Sequence, residues 1–268
     1  MICDMHIHSC YSFDGTPTLE EICTVAMERG VGIIAITDHA DMVDTGGYGV
    51  DAYYAAEPAR LEAFAHLQPW NPGVEVLYGI EIGNGHDAKV ATEKLMEGRE
   101  FDYVLGSVHF LPDGTDIYKM PFASPEEIDG MWREYFASVL RLVNEGGFDC
   151  FAHLDYPLRK MEGKVSACTV EQYADLIDPI LQALVKQQIA LEVNTRGMYD
   201  WQQRVCPEDW VLRRYRELGG KYVVIGSDTH TVDYIGTGFA EAAAALKHCG
   251  FDSYTIYRKR QPVQIPLD

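Results

Sequence analysis

Short apolar runs rich in β-branched residues alternate with longer amphipathic stretches along most of this chain. Residues 2–6, 32–37, 74–82, 103–108, 150–153, 190–194 and 222–226 have the length and character of buried strands. The stretches between them carry helix boundaries. Thr18-Leu19-Glu20-Glu21 forms a capping box, and Gly30 follows Met27-Glu28-Arg29 as a stop signal. Ser124-Pro125-Glu126-Glu127 opens a second helix, which carries Met131, Tyr135, Leu140 and Leu142 before Gly146-Gly147. Thr169-Val170-Glu171-Gln172 opens a third and Pro207-Glu208-Asp209 a fourth, ending at Gly219-Gly220. Strands alternating with helices predict a parallel sheet, and seven strong strands suit a closed α/β barrel better than an open sheet. A final run at 254–257 is expected to pair at its edge. No repeat or linker interrupts the 268 residues, so one domain over 1–268 is the simplest organisation.

The polar residues that end these runs carry the chemistry. They are His6-Ile7-His8, Thr37-Asp38-His39, Glu81, Ser107-Val108-His109, Ala152-His153-Leu154-Asp155 and Ser227-Asp228-Thr229-His230. A parallel barrel gathers the C-terminal ends of its strands at one mouth. Residues two apart on a strand face the same side, so His6 and His8 point together. Imidazoles and carboxylates converging on one place make a polynuclear site for Zn, Mn or Fe, the mark of a metal-dependent hydrolase. His66 and His248 lie in helical patterns and are read as surface residues, and His86 as a loop residue. The longest loops, 40–50 and 111–123, follow strand ends and are placed to bind or cover substrate.

Composition narrows the class. A formal net charge of −19 argues against nucleic acid, whose binding needs clustered Lys and Arg. It does not argue against phosphate, because bound cations and a few arginines reverse the local sign. Arg159 and Arg196 each follow a strand end, and a guanidinium fork grips two phosphate oxygens, so both are read as a phosphate clamp, with Lys160 either assisting or simply solvated. No run approaches the roughly 20 apolar residues of a membrane span, and the first residues lack a secretory pattern. The seven cysteines form no CxxC pair and are read as free thiols in a reducing compartment, which points to the cytoplasm.

The order and spacing of HxH, TDH, the strand-end Glu81, GSVHF, AHLD and SDxH resemble the polymerase-and-histidinol-phosphatase (PHP) family over the whole length. The similarity is greatest to its histidinol-phosphate phosphatases, through GSVHFL, AHLD with basic residues after it, the EVNT strand end and a basic C-terminal strand. The resemblance implies a distorted (β/α)7 TIM-like barrel holding up to three divalent metal ions. One would be held by His6, His8, Glu81 and Asp228. A second would share Glu81 and add His109 and His153. A third would take Asp14, His39 and His230; some members have histidine where this chain has Asp14. Asp38 would orient a ligand. The implied activity is hydrolysis of a small-molecule phosphate ester, L-histidinol phosphate in histidine biosynthesis, by a metal-bridging hydroxide. The leaving alkoxide would be stabilised by a metal or protonated through Asp14, His230 or water, and Asp44, Asp51 or Glu162 would receive the substrate's ammonium. Other small phosphate esters, nucleotides, phosphotyrosine, or a non-catalytic PHP binding module are the alternatives.

Overall fold

The computed structural model describes residues 1–43, 49–70, 73–120, 124–160, 170–200 and 203–267. Seven strands run parallel in the order β1 (Ile2–Ile7), β2 (Val31–Ile36), β4 (Glu75–Gly83), β5 (Tyr103–Ser107), β6 (Cys150–Phe151), β7 (Ala190–Asn194) and β8 (Val223–Gly226). Successive strands are neighbours, as crossover helices on one side of a right-handed winding require. The ring closes beyond β8. Asp228 N donates to the His6 carbonyl at 2.7 Å and His8 N to the Thr229 carbonyl at 2.9 Å. Lower on this seam the buried Asp4 carboxylate accepts from Ser227 N and Gly236 N, both at 2.9 Å. Seven strands, parallel and nearly closed, are what the apolar runs predicted.

The helix signals hold where they can be read. Thr18 caps α1 (Leu19–Glu28) with both bonds of the capping box, and Ser124 caps α4 (Pro125–Glu145). Thr169 lies outside the described residues; Val170–Tyr173 is a short 3-10 turn before α5 (Ala174–Gln187). The remaining helices are α2 (Val50–Trp70), α3 (Lys89–Met96), α6 (Arg196–Tyr199), α7 (Asp209–Glu217) and α8 (Phe239–His248). Trp132, Tyr135, Phe136, Val139 and Val143 form the buried face of α4, and the strands' outward residues complete the core beneath the helices.

Two expectations need correction. His39 does not end β2: it opens a three-residue strand, β3 (His39–Asp41), which pairs with Glu81–Gly83 at the top of β4. The chain steps sideways at Thr37-Asp38, and this carries Asp41 to the mouth. The run at 254–257 does not extend the barrel. It lies in β9 (Ser253–Arg258), which pairs antiparallel with β10 (Gln261–Pro266) in a separate hairpin. Its turn residues Lys259 and Arg260 both have positive φ, the geometry of a tight two-residue hairpin. Five of the six described cysteines are buried, Cys10 is exposed, and all six are free. No described helix is long and apolar enough to cross a membrane.

Candidate active site

The strand ends converge beneath a cleft of about 540 Å3 lined by Asp14, His39, His109, His153, Asp228 and His230, among others. Glu81 lies at its centre, fully buried. Its Oε1 is 2.9 Å from His153 Nε2 and 3.3 Å from His109 Nε2. Its Oε2 is 2.9 Å from His39 Nδ1, 3.4 Å from His6 Nε2 and 3.5 Å from His8 Nε2. One carboxylate thus presents one oxygen to each of two imidazole sets. Asp228 Oδ1 stands 3.8 Å from His6 Nε2 and 3.6 Å from His8 Nε2. Asp14 approaches from the rim, 3.7 Å from His39 Nε2 and 3.1 Å from His230 Nε2.

Among the described residues four groups bring their donor atoms within 4.8 Å of one another: His6/His8/Glu81, Glu81/His109/His153, His8/Asp14/His39/His230 and His39/Asp41/His109. His8 therefore belongs with two groups, not one. The donor set suits divalent cations of the zinc, manganese or iron type. Glu81 Oε2 is buried without a hydrogen bond, and His6 Nε2 faces His8 Nε2 at 3.0 Å, so an acceptor and two ring nitrogens point at shared space. These residues fit metal ions.

The imidazoles are held by groups the motifs did not reveal. Glu192, buried on β7, accepts the His6 Nδ1 proton at 2.6 Å and the His153 backbone N–H at 2.7 Å. Asp41 accepts from His109 Nδ1 at 2.7 Å, and Ser12 Oγ lies 3.2 Å from His8 Nδ1. Because a carboxylate only accepts, Nδ1 carries a proton in His6 and His109, and Nε2 is the nitrogen turned to the site, the one whose proton a metal ion would displace. Two strand-end glycines make room for these bonds. A Cβ on Gly83 would fall 1.7 Å from Asp41 Oδ1, and one on Gly226 would meet Glu192 Oε1 at 2.7 Å and His6 Cβ at 2.5 Å. His153 and Asp228 both take positive φ, so two strand ends bend sharply to deliver these side chains.

Charge follows the same geometry. Burial opposes the charged form of His39, but Glu81 and Asp14 outweigh it and raise the imidazole to about 9. Against the same penalty Asp41 and Glu81 raise His109 to about 10. His8 is pushed down by burial and by the His230 and His39 rings beside it. Burial disfavours ionised Asp228, yet Arg159 and His6 hold it well below the usual carboxylate range.

Both arginines reach the mouth. Arg159 Nη2 binds Asp228 Oδ2, and Arg196 Nη1 donates to the Asp228 carbonyl and to His230 Nδ1, each at 3.0 Å. Among the described residues Asp38 bonds no imidazole directly and acts through the backbone beside one. It accepts from Ser9 N at 2.7 Å and pairs with Arg60 Nε at 3.0 Å, and Arg60, fully buried on α2, also bonds Tyr53 Oη at 2.5 Å. Asp38 thereby fixes the loop that carries His8 and Asp14, and Arg60 is a residue the motifs missed. Asp51 sits in the first turn of α2 and does not line the cleft. Asp44, Glu162 and the Lys160 side chain lie outside what is described. His66 and His248 are exposed on helices, and His86 faces away from this cleft.

The PHP domain model matches residues 4–196, the span that contains Glu81 and five of the six clustered histidines. The chain belongs to the PHP domain family. A probable histidinol-phosphatase of Clostridium acetobutylicum is 32% identical over 251 residues, 93% of this PHP chain and 94% of that protein. A histidinol-phosphatase of Lactococcus lactis is 27% identical over 95% of this chain and 93% of its own. Among solved structures, the Lactococcus lactis histidinol phosphate phosphatase complexed with zinc, L-histidinol and phosphate superposes with a TM-score of 0.77. It is 24% identical and covers 98% of both chains, so the PHP barrel is shared from end to end.

Proposed function

We propose that this PHP chain is a metal-dependent phosphomonoesterase that hydrolyses L-histidinol phosphate to L-histidinol and phosphate. The observation that carries the reading is Glu81, with one oxygen toward His109 and His153 and the other toward His6, His8 and His39, beside two arginines at the same mouth. The names of the relatives support the substrate. His6, His8, Glu81 and Asp228 would hold one ion, Glu81, His109 and His153 a second, and Asp14, His39 and His230 a third. When bound, divalent ions supply Lewis-acid stabilisation of phosphoryl charge and acidify coordinated water.

The chain's own residues do the rest. Arg159 and Arg196 receive the phosphoryl oxygens, and Asp228 keeps both guanidinium forks aimed before substrate arrives. Burial disfavours ionised Asp14, but His39 and His230 hold its carboxyl below the usual range, so it stays a carboxylate that accepts hydrogen bonds and has no proton to supply. A proton for the leaving alkoxide therefore comes from solvent, because His230 Nε2 would be engaged by the third ion. When Arg196 turns from His230 Nδ1 to a phosphoryl oxygen, Nδ1–H can instead be donated to the Asp228 carbonyl, 3.2 Å away. That tautomer leaves Nε2 free as a donor atom.

Metal loading is expected to release at least two protons per chain at pH 7.5, because His39 and His109, raised to about 9 and 10, must become neutral to ligate, as must His6, which Glu192 and Asp228 raise against the penalty of burial. Since these pKa values are raised, the competing protons of His39 and His109 leave as pH climbs through 9 and 10, and apparent metal affinity rises over that window. Titration of chelator-stripped protein with zinc in a weak buffer with a pH indicator measures this. Loading without acidification would mean that these imidazoles are not ligands.

The substrate is tested by phosphate release from L-histidinol phosphate, nucleotides, a phosphotyrosine peptide and sugar phosphates. The expected result is a kcat/KM for L-histidinol phosphate at least about a hundredfold above the others, on the order of 3 kcal/mol of discrimination. Comparable rates across the panel would defeat the assignment while leaving a general phosphatase. Phosphotyrosine preference would point to the other PHP reading.

A further inference from the structure

A second cleft, of about 450 Å3, lies between α3 and α4. Side chains alternate across a strand, so Ile82 faces outward to this cleft where its neighbour Glu81 faces the mouth. Ile82, Met96, Leu142 and Phe148 give it an apolar floor, and Gly106, the register partner of Ile82, adds no side chain. Its size is that of ordinary small-molecule pockets, which combine apolar walls with a few polar groups.

One polar group is placed in that way. The His86 side chain lines the cleft at 2% exposure, and neither ring nitrogen makes a hydrogen bond. Asp87 Oδ1 is 3.4 Å from Nε2 but lacks hydrogen-bond geometry. Burial lowers the imidazole's pKa, so it presents one donor and one acceptor. Burying such a group without a partner is a cost that a bound hydrogen-bonding group would remove. The rim carries Glu93, Glu97 and Glu145 against Lys89. Of the other cations near it, Arg260 is committed to Asp149 at 2.6 and 2.8 Å and to the Gly147 carbonyl at 2.9 Å, and Arg141 faces Asp87 Oδ1 at 3.7 Å.

We propose that this cleft is a second small-molecule site, separate from the mouth, for a compact organic amine with an apolar body. The body rests on Ile82, Met96, Leu142 and Phe148. The ammonium donates to the free His86 nitrogen and is balanced by Glu145 and Glu93.

Calorimetric titration of the zinc-loaded protein with 2-phenylethylamine, and with phenylacetate as its anionic match, tests this. The amine is expected to bind with a Kd between about 10 μM and 1 mM, and phenylacetate at least about tenfold more weakly. His86→Phe, which removes the imidazole and fills the space, should weaken the amine by about tenfold or more, with circular dichroism unchanged. Glu145→Lys alters only an exposed rim position and should cost about fivefold even if His86→Phe folds poorly. Saturating inorganic phosphate at the mouth should leave the amine Kd unchanged. The proposal is overturned by no amine binding up to about 5 mM, by equal affinities for amine and acid, by Kd values that ignore Glu145→Lys, or by competition from phosphate. None of these outcomes depends on which ester the enzyme cleaves.

Discussion

Replacing Glu81 by glutamine is expected to lower kcat/KM by at least about a thousandfold, on the order of 4 kcal/mol of transition-state stabilisation, and to remove metal from the protein. Glutamine keeps the shape and one acceptor oxygen but loses the charge that both imidazole sets share. His39 and His109 owe their raised pKa values in part to Glu81, so in the metal-free variant both should titrate closer to 6.5. Elemental analysis beside phosphate-release kinetics separates the causes. Glu81→Asp keeps the charge but withdraws it by a methylene, and should restore part of the metal without full turnover. Wild-type metal content and rate in Glu81→Gln would remove the shared carboxylate from the mechanism.

The second large effect is expected at Asp228. This residue faces His6 and His8 with Oδ1 and binds Arg159 with Oδ2, while Arg196 reaches both its carbonyl and Oδ1. Asp228→Asn keeps one acceptor oxygen for Arg159 and Asn194, and the backbone carbonyl for Arg196, but removes the negative charge. Its kcat is expected to fall by about a hundredfold or more. Inhibition by inorganic phosphate should not weaken, because the guanidinium groups lose a competing carboxylate. Asp228→Ala should in addition destabilise the fold by about 3–5 kcal/mol, since the buried Arg159 charge is left without its partner. A thermal melt of the two variants with steady-state kinetics and phosphate inhibition reads all three effects. An Asn variant with normal kcat would sink the assignment.

The strands were legible because each is a compact apolar run, and the clustered histidines because each follows such a run. What supports them was not. Glu192 sits within Ala-Leu-Glu-Val-Asn, where one strand residue does not declare which way it faces or what it meets. Asp41 reaches His109 only because β3 exists, and no apolar run marks a three-residue strand. Gly83 and Gly226 were a signal of a kind: a glycine at a strand's last position beside a ligand marks a close approach. Asp38 was assigned to a ligand because of its place in Thr37-Asp38-His39, whereas its partner Arg60 comes from a helix with no motif to announce it. The hairpin escaped notice because Pro262 and Pro266 make β10 read poorly as a strand, although proline is tolerated on an edge.

The seam between β1 and β8 also sets when the site can exist. Ser227 and Asp4, bonded across it, stand 223 positions apart, and His6 and His8 meet Asp228 just above them. A chain emerging from its N-terminus exposes two histidines at once, but the carboxylate they face comes only after the eighth strand is made. Until then those histidines form an open, weak chelate beside an unpaired strand edge. Capture of the ion between His6, His8 and Asp228 is thereby coupled to a long-range closure, the kind of contact that forms slowly in barrels. Translation must be nearly finished before that ligand set is complete, whereas Glu81, His109 and His153 are all made by residue 153.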